Sequence, residues 1–212
     1  MGERAALSRI GCAVERGSAR ANGGSDRIVE ALLVSFGLVA LAEIGDKTQL
    51  LALVLASRFG RPVPILAGIL TATLLNHLAA GAVGALLGIH LDYAWMRWVI
   101  ALSFFAIAAW ALFPESPKID APPPRFGVFG ATAIAFFAAE MGDRTQIATV
   151  ALAARFETWL AVVFGTTLGM MAANLPVVLL GRQATRWLPV SSVHWAAAVL
   201  SVALGIAVLV RG

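Results

Sequence analysis

Two copies of one eight-residue string, AEIGDKTQ (Ala42–Gln49) and AEMGDRTQ (Ala139–Gln146), lie inside long apolar segments of the chain. Each copy places two carboxylates and one cation where the neighbouring residues are hydrophobic. Ionisable side chains are expensive to bury inside a membrane-spanning segment, and they usually face a bundle interior or a water-filled path. The repeated string therefore predicts a functional site within a membrane protein.

Composition supports this class of protein. The 212 residues are 59% hydrophobic and only 13% charged, and the mean hydropathy is +0.84, whereas about a quarter of the residues in a soluble domain are charged. The net charge of +4 comes from arginines spread over loops and termini, so nucleic acid is not predicted as a partner. The single cysteine, Cys12, excludes an intramolecular disulfide.

The apolar pattern predicts an all-α integral membrane protein with six transmembrane helices, since each span needs about 20 apolar residues. The predicted helices are Val29–Ser57, Val63–Ile89, a third ending near Phe113, Phe126–Ala154, Thr158–Leu180 and Val193–Val210. Residues 1–28 are polar and lack the apolar region of a signal peptide. We expect a disordered tail or, alternatively, a non-native one with translation starting near Val29. Residues 29–113 and 126–212 form the two halves, joined by a proline-rich linker at 114–125.

The two halves are related by a constant shift of 97 positions. Between residues 42–60 and 139–157, ten of nineteen positions are identical, namely Ala42, Glu43, Gly45, Asp46, Thr48, Gln49, Leu55, Ala56, Arg58 and Phe59 with their counterparts. Each half has three predicted spans, an odd number, so the second half enters the membrane from the opposite side. We therefore predict two inverted three-helix repeats, an architecture typical of secondary transporters. A duplication serving only as scaffold would not explain acids retained in both copies.

The motif residues carry oxygen atoms at helical spacing. On a continuous helix, Glu43, Asp46 and Gln49 form one stripe, and Thr48 adds a hydroxyl. The second copy supplies the same set: Glu140, Asp143, Thr145 and Gln146. If the two stripes face each other, these eight side chains make an all-oxygen environment, which hard divalent cations such as Ca²⁺, Mn²⁺ or Mg²⁺ prefer. We predict these eight residues as ligands of one shared metal site.

Charge within this predicted site favours a divalent ion. Four carboxylates with the two supporting cations, Lys47 and Arg144, leave a net charge of −2. Lys47 lies four residues after Glu43, so the two can pair on a helix; alternatively, both cations form purely structural bridges. Crowded carboxylates also bind protons when no metal is present, so metal and protons would compete, as an exchanger requires.

His77 and its counterpart Asn174 lie mid-helix in the second span of each half. Their equivalence in the repeat predicts a shared role in supporting the metal ligands without touching the ion. A helix–helix hydrogen bond is the alternative for the histidine.

The doubled motif E-x-G-D-K/R-T/S in the first and fourth of six spans resembles the Gdt family of calcium/manganese cation–proton antiporters. Both signatures are complete, EIGDKT at Glu43–Thr48 and EMGDRT at Glu140–Thr145, and the likeness covers residues 29–210. The resemblance implies transport of Mn²⁺ or Ca²⁺ in exchange for protons, with the motif acids as ligands and the ion as substrate. The short linker is similar to that of bacterial members, which implies a multi-pass protein of the bacterial inner membrane.

Two other functions fit an inverted repeat. An exporter of a small organic solute such as an amino acid would need an apolar pocket and fewer facing acids. An intramembrane lipid-phosphate hydrolase would need a nucleophile or an activated water, and no Ser or His adjoins either motif. We therefore predict a transporter, not an enzyme, whose partners are Mn²⁺ or Ca²⁺, protons and the lipid bilayer. The choice between Mn²⁺ and Ca²⁺, the direction of transport and the oligomeric state stay open at this point.

Overall fold

The computed structural model describes residues 24–90, 93–112, 126–181 and 190–211, and the regular structure in these ranges is helical. In chain order the helices are α1 (Gly24–Glu43), α2 (Lys47–Phe59), α3 (Pro62–His90), α4 (Tyr93–Ala111), α5 (Gly127–Glu140), α6 (Arg144–Arg155), α7 (Trp159–Leu180) and α8 (Val190–Arg211). The prediction of an all-α protein is confirmed. Residues 24–28, predicted as part of a tail, belong to α1. Residues 1–23 and the predicted linker 114–125 lie outside the described ranges.

Each motif interrupts a helix. α1 and α2 meet at a bend of 69° across the first motif, and the second motif separates α5 from α6. The predictions of continuous helices over Val29–Ser57 and Phe126–Ala154, with the motif acids in one helical stripe, are therefore wrong.

The cause of the breaks is local. Gly45 and Gly142 have φ angles of 82° and 78°, in the left-handed region that residues with a Cβ adopt only at a cost. Asp46 and Asp143 then take an extended conformation and occupy the N-cap positions of α2 and α6. The same two residue types at the same two positions thus build the same break in both halves.

Helices of one half pack on helices of the other at equivalent glycines. A Cβ atom at Gly68 in α3 would lie 2.8 Å from the carbonyl oxygen of Phe129 in α5. A Cβ atom at Gly165 in α7 would lie 2.5 Å from the carbonyl oxygen of Leu32 in α1. Positions 68 and 165, and likewise 32 and 129, are separated by the repeat shift of 97. Close backbone approach at small residues is typical of helix packing in membranes.

Two of the described helices, α3 and α7, are long and apolar enough to cross a membrane, and α1 with α2 counts as a third span if the bent pair is taken together. The apolar parts of α4, α5 and α8 are shorter. The six-span inverted repeat therefore remains a prediction. Large apolar side chains such as Leu75, Leu102 and Val199 are more than half exposed on the outer faces, a surface suited to lipid.

Candidate cation site

The breaks bring the two motifs together in the interior of the protein. All four motif acids are buried, with at most 2% of their surface exposed: Glu43, Asp46, Glu140 and Asp143. The motif residues end one helix or cap the next, so their side chains are not confined to one face of a continuous helix. The acids of one motif can therefore contact residues of the other. The sequence prediction that the motifs meet therefore agrees with the structure, although the geometry of their meeting differs.

Two crossed ion pairs join the motifs. Lys47 Nζ lies 2.7 Å from Asp143 Oδ1, and Arg144 Nη2 lies 2.5 Å from Asp46 Oδ1. The cation of each motif thus neutralises the aspartate of the other. This differs from the predicted pairing of Lys47 with Glu43, because the break at Gly45 removes the helical geometry that would place residues four apart on one face.

The two glutamates have fewer partners. Both carboxyl oxygens of Glu43 are buried and accept no hydrogen bond from the described residues. Glu140 Oε1 accepts a hydrogen bond from Thr73 Oγ1 at 3.4 Å, while its Oε2 accepts none from that part of the chain. Burying a carboxyl group without a partner is costly. Bound protons or a bound cation would offset that cost, so the glutamates are suited to exchange one for the other.

The two glutamines hold the breaks. Gln49 Oε1 accepts a hydrogen bond from the backbone N–H of Gly45 at 2.8 Å, and Gln146 Oε1 accepts one from Gly142 at 2.8 Å. Gln49 Nε2 also donates to the carbonyl oxygen of Ala173 in α7 at 3.0 Å. In this conformation the amide oxygens predicted as metal ligands are engaged by the backbone.

The two threonines differ. Thr145 donates to Asp143 Oδ2 from its backbone N–H at 3.2 Å and from its hydroxyl at 3.1 Å. The hydroxyl oxygen of Thr48 is buried and has no hydrogen-bond partner among the described residues. The second motif thus carries an internal hydrogen bond that ties Asp143 to its own helix.

Sequence reasoning missed the role of the glutamines, although a signal was available. Asp at the N-cap followed three residues later by Gln is the pattern of a capping box, in which the second side chain reaches back to a backbone N–H before the helix. Both D-K-T-Q (46–49) and D-R-T-Q (143–146) fit it. Read as helix starts, they would have predicted both breaks.

In the described part of the chain, no group of three His, Cys, Asp or Glu side chains is arranged to hold a metal ion. The crossed ion pairs account for this arrangement, because an amine and a guanidinium lie against the two aspartates. The conformation thus has the four acids assembled near one another, with the two aspartates neutralised by the protein's own cations. A metal ion would have to displace one or both cations from direct contact with the aspartates, while their charges stay within the site.

The predicted supporting residues lie on α3 and α7. His77 Nδ1 is 3.3 Å from Thr167 Oγ1, which is a hydrogen bond between helices of different halves. Asn174 Nδ2 donates to the carbonyl oxygen of Met170 at 3.1 Å and contacts its sulfur at 3.3 Å. Both side chains are fully buried. The helix–helix hydrogen bond offered as the alternative for His77 is thus present.

A cavity of about 710 Å³ lies elsewhere in the molecule, beside the end of α6 and the start of α7. Arg27 and Glu157 line it and form an exposed ion pair of 3.0 Å. None of the motif residues lines this cavity, so it is separate from the acidic site.

A family comparison matches both halves of the chain. The model of the family described as "Divalent cation/proton antiporter GDT1" matches residues 31–118 and, separately, residues 128–212. The chain belongs to the GDT1 family. The starts of the two matches are 97 positions apart, which is the shift found between the two motifs.

Individual relatives agree with this assignment. A Vibrio cholerae protein named "Putative manganese exporter" is 44% identical over 171 residues, covering 80% of this chain and 86% of that protein. A GDT1-like protein of Synechocystis sp. is 29% identical over 167 residues, covering 68% of this chain and 80% of that protein. No solved structure matches the chain.

Membership of the GDT1 family makes this chain a transporter and not an enzyme. The prediction of a transporter and not an enzyme is thereby confirmed, as is the resemblance read from the doubled motif. The apolar helices are those of an integral, multi-pass membrane protein, and the family's substrates are divalent cations.

Proposed function

We propose that this GDT1 protein exchanges Mn²⁺, Ca²⁺ or both for protons at a single site shared by its two motifs. The observation that carries the proposal is the pair of crossed ion pairs, Lys47 with Asp143 and Arg144 with Asp46. They bring four buried carboxyl groups from two halves of the chain to one place. The four acids are the proposed ion ligands, and the oxygens of Thr48, Thr145, Gln49 and Gln146 would complete the set after rearrangement.

Charge balance explains how one site can serve two substrates. Four carboxylates and two cations leave −2, which one divalent ion neutralises. Protons on the two glutamates neutralise the same charge. The site is electrically neutral with one divalent ion bound or with two protons bound. It has no remaining negative charge, or space, for both at once, so binding of the metal and binding of protons exclude each other. Such mutual exclusion is the condition for coupled exchange.

Arrival of the metal requires the protein's own cations to move. Lys47 is 25% exposed, whereas Arg144 is 2% exposed. Lys47 is also a flexible point charge, while the guanidinium of an arginine is a planar group with several fixed donors. The amine of Lys47 is therefore the cation that moves off Asp143 first to admit the metal, while its charge stays in the site and Arg144 stays against Asp46.

We further propose that the chain spans the membrane six times as two inverted repeats. α1 with α2 and α5 with α6 each form one broken span, and α3, α4, α7 and α8 are the others. Helices broken at a substrate site are typical of secondary transporters built from inverted repeats. The equivalent glycine contacts at Gly68 and Gly165 support the symmetry. The name of the Vibrio relative supports Mn²⁺ as substrate, and its bacterial source supports the bacterial inner membrane as location.

Reconstituted transport tests this function. Purified protein in lipid vesicles should accumulate radiolabelled Mn²⁺ or Ca²⁺ when a pH gradient is imposed, and dissipating the gradient should abolish accumulation. Asp46→Asn and Glu140→Gln should each eliminate uptake. Glu157→Gln is the matched control, because Glu157 is an exposed acid outside the site. The proposal fails if neither ion moves in the wild type, or if both site variants transport normally.

A further inference from the structure

Two side chains of α3 hold the end of α5 beside the second motif. Thr73 Oγ1 donates a hydrogen bond to Oε1 of Glu140, the last residue of α5, at 3.4 Å. One turn further along α3, Asn76 Nδ2 donates to the carbonyl oxygen of Phe137 at 3.2 Å. Residues three apart lie on one face of a helix. A single face of α3 therefore contacts both the carboxyl group of Glu140 and the backbone of the turn that carries it.

The helix that supplies these two donors is a firm support. α3 is one unbroken helix, whereas α5 ends at Glu140, where the break of the second motif begins. Thr73 is fully buried, and Asn76 is 2% exposed. Buried apolar residues of α3 and α5 pack in one cluster, namely Ile65, Ile69, Ala72, Ala135 and Phe136. A continuous helix of the first half thus holds a carboxyl group that lies at a break in the second half.

The other half has neither donor. The repeat shift places Met170 and Ala173 of α7 at the positions equivalent to Thr73 and Asn76, and neither of these two side chains can donate a hydrogen bond. The equivalent acid, Glu43, accepts no hydrogen bond from the described residues. α7 nevertheless packs so closely on α1 that its glycines at this contact leave no room for a Cβ atom. Packing of the equivalent helices therefore does not require the two donors, which favours a role for them in the cation site.

We propose that Thr73 and Asn76 are positioning residues that hold the carboxyl group of Glu140 in the orientation in which it binds the cation. The inference rests on the proposed function, in which Glu140 is an ion ligand. Groups that hydrogen-bond to a metal ligand fix its orientation before the ion arrives, and losing one lowers metal affinity by about 10- to 100-fold. The contact between Thr73 and Glu140 is long in this conformation, and hydrogen bonds in functional sites often shorten only when the substrate is bound. Asn76 acts one step further from the ion, through the backbone.

Transport kinetics in reconstituted vesicles test these roles. Initial rates of Mn²⁺ uptake and of Ca²⁺ uptake, measured over a range of concentrations under one pH gradient, give KM and Vmax for each ion. Thr73→Val keeps the shape of the side chain but removes the hydroxyl, and it should raise KM for the transported ion about tenfold with Vmax preserved. Thr73→Ser keeps the hydroxyl and should retain the wild-type KM. Asn76→Ala copies the other half and should raise KM by less, because its hydrogen bond goes to the backbone and not to the carboxyl group.

Thr71→Val is the matched control, because Thr71 is an exposed residue of the same helix whose hydroxyl donates to the carbonyl oxygen of Ala67; it should leave KM unchanged. With wild-type transport intact, an unchanged KM in Thr73→Val would overturn the inference. So would an equal rise in Thr73→Ser, which is the behaviour of a packing residue.

A second comparison covers the case in which Thr73→Val does not fold. Thr73→Ser and Thr73→Ala differ only in the hydroxyl, so the alanine variant should have the higher KM, and equal values would overturn the inference. Failure of the proposed function has a different signature, namely that the unaltered protein moves neither ion, and the inference then falls with it.

Discussion

At the scale of single residues, the two motifs are similar in sequence and different in environment. Lys47 is partly exposed while Arg144 is enclosed, with exposed side-chain fractions of 25% and 2%. Thr145 bonds to Asp143, and Thr48 has no equivalent bond among the described residues. The second motif is thus the more fixed of the two. Differences of this kind are invisible in the aligned strings, because they depend on what packs around each copy.

Replacing Arg144 should cost more stability than replacing Lys47. Arg144→Ala removes the guanidinium from a buried carboxylate, and breaking a buried ion pair in this way costs about 3–5 kcal/mol. Lys47→Ala removes a cation that is partly exposed, so the loss should be smaller. Thermal unfolding of the purified protein in detergent measures both variants. Equal losses would contradict the assignment of Arg144 as the fixed cation.

At the scale of elements, the positions of the helices were predictable and the breaks were not predicted. Apolar composition located six helical segments approximately, because hydropathy is averaged over a whole span, but it joined α1 to α2 and α5 to α6 and placed the start of α1 at Val29 instead of Gly24. A break of three residues at Ile44–Asp46 barely changes such an average. The capping pattern D-x-x-Q and the preceding glycine carried that information locally, and they determine which side chains the site can present.

The left-handed glycines of the breaks should not tolerate a side chain. Gly45→Ala and Gly142→Ala each force a Cβ into a conformation that costs about 1–2 kcal/mol. Gly37→Ala is the control, because Gly37 lies within α1 and an added Cβ would have open space. That substitution should be neutral or stabilise by up to about 1 kcal/mol. Unfolding temperatures that fall equally in all three variants would argue against a special role of the breaks.

The glutamine hydrogen bonds should protect the backbone of the breaks. Gln49→Met and Gln146→Met remove the acceptors for the N–H groups of Gly45 and Gly142, so deuterium exchange at these amides should accelerate in metal-free protein. Gln49→Met should also lower stability more, because it removes the additional bond to Ala173, and one hydrogen bond contributes about 1 kcal/mol. Unchanged exchange in both variants would show that the side chains do not hold the breaks.

At the scale of the whole molecule, the duplication could be detected in the sequence because charged and amide residues match at a constant shift. Two unrelated apolar helices would not show such matches by chance. The crossed ion pairs between the motifs could not be predicted from the sequence. They depend on the break at each motif, which turns Lys47 away from Glu43 and toward the other half. Sequence therefore predicted that the halves meet at the motifs, and folding decided which residues are partners.

The glycines at the contacts between halves should behave as a matched pair. Gly68→Ala and Gly165→Ala both drive a Cβ against backbone of the opposite half, and overpacking of this kind costs about 1–3 kcal/mol. Similar losses are expected because the two contacts are equivalent under the repeat. Unfolding measurements on the two variants check this, with Gly37→Ala as reference. A large loss in one variant and none in the other would speak against symmetric packing.

The crossed ion pairs carry a consequence for how the chain can be divided. Each half holds a buried aspartate whose counter-ion is supplied by the other half. Either half alone therefore lacks the ion-pair partner of its aspartate. Two fragments produced by cutting between residues 114 and 125 should therefore complement each other when made in the same cell. Either fragment made alone exposes the membrane to an unneutralised acid and should be removed by proteolysis. In this sense the single polypeptide behaves as a covalently tethered dimer of unlike partners.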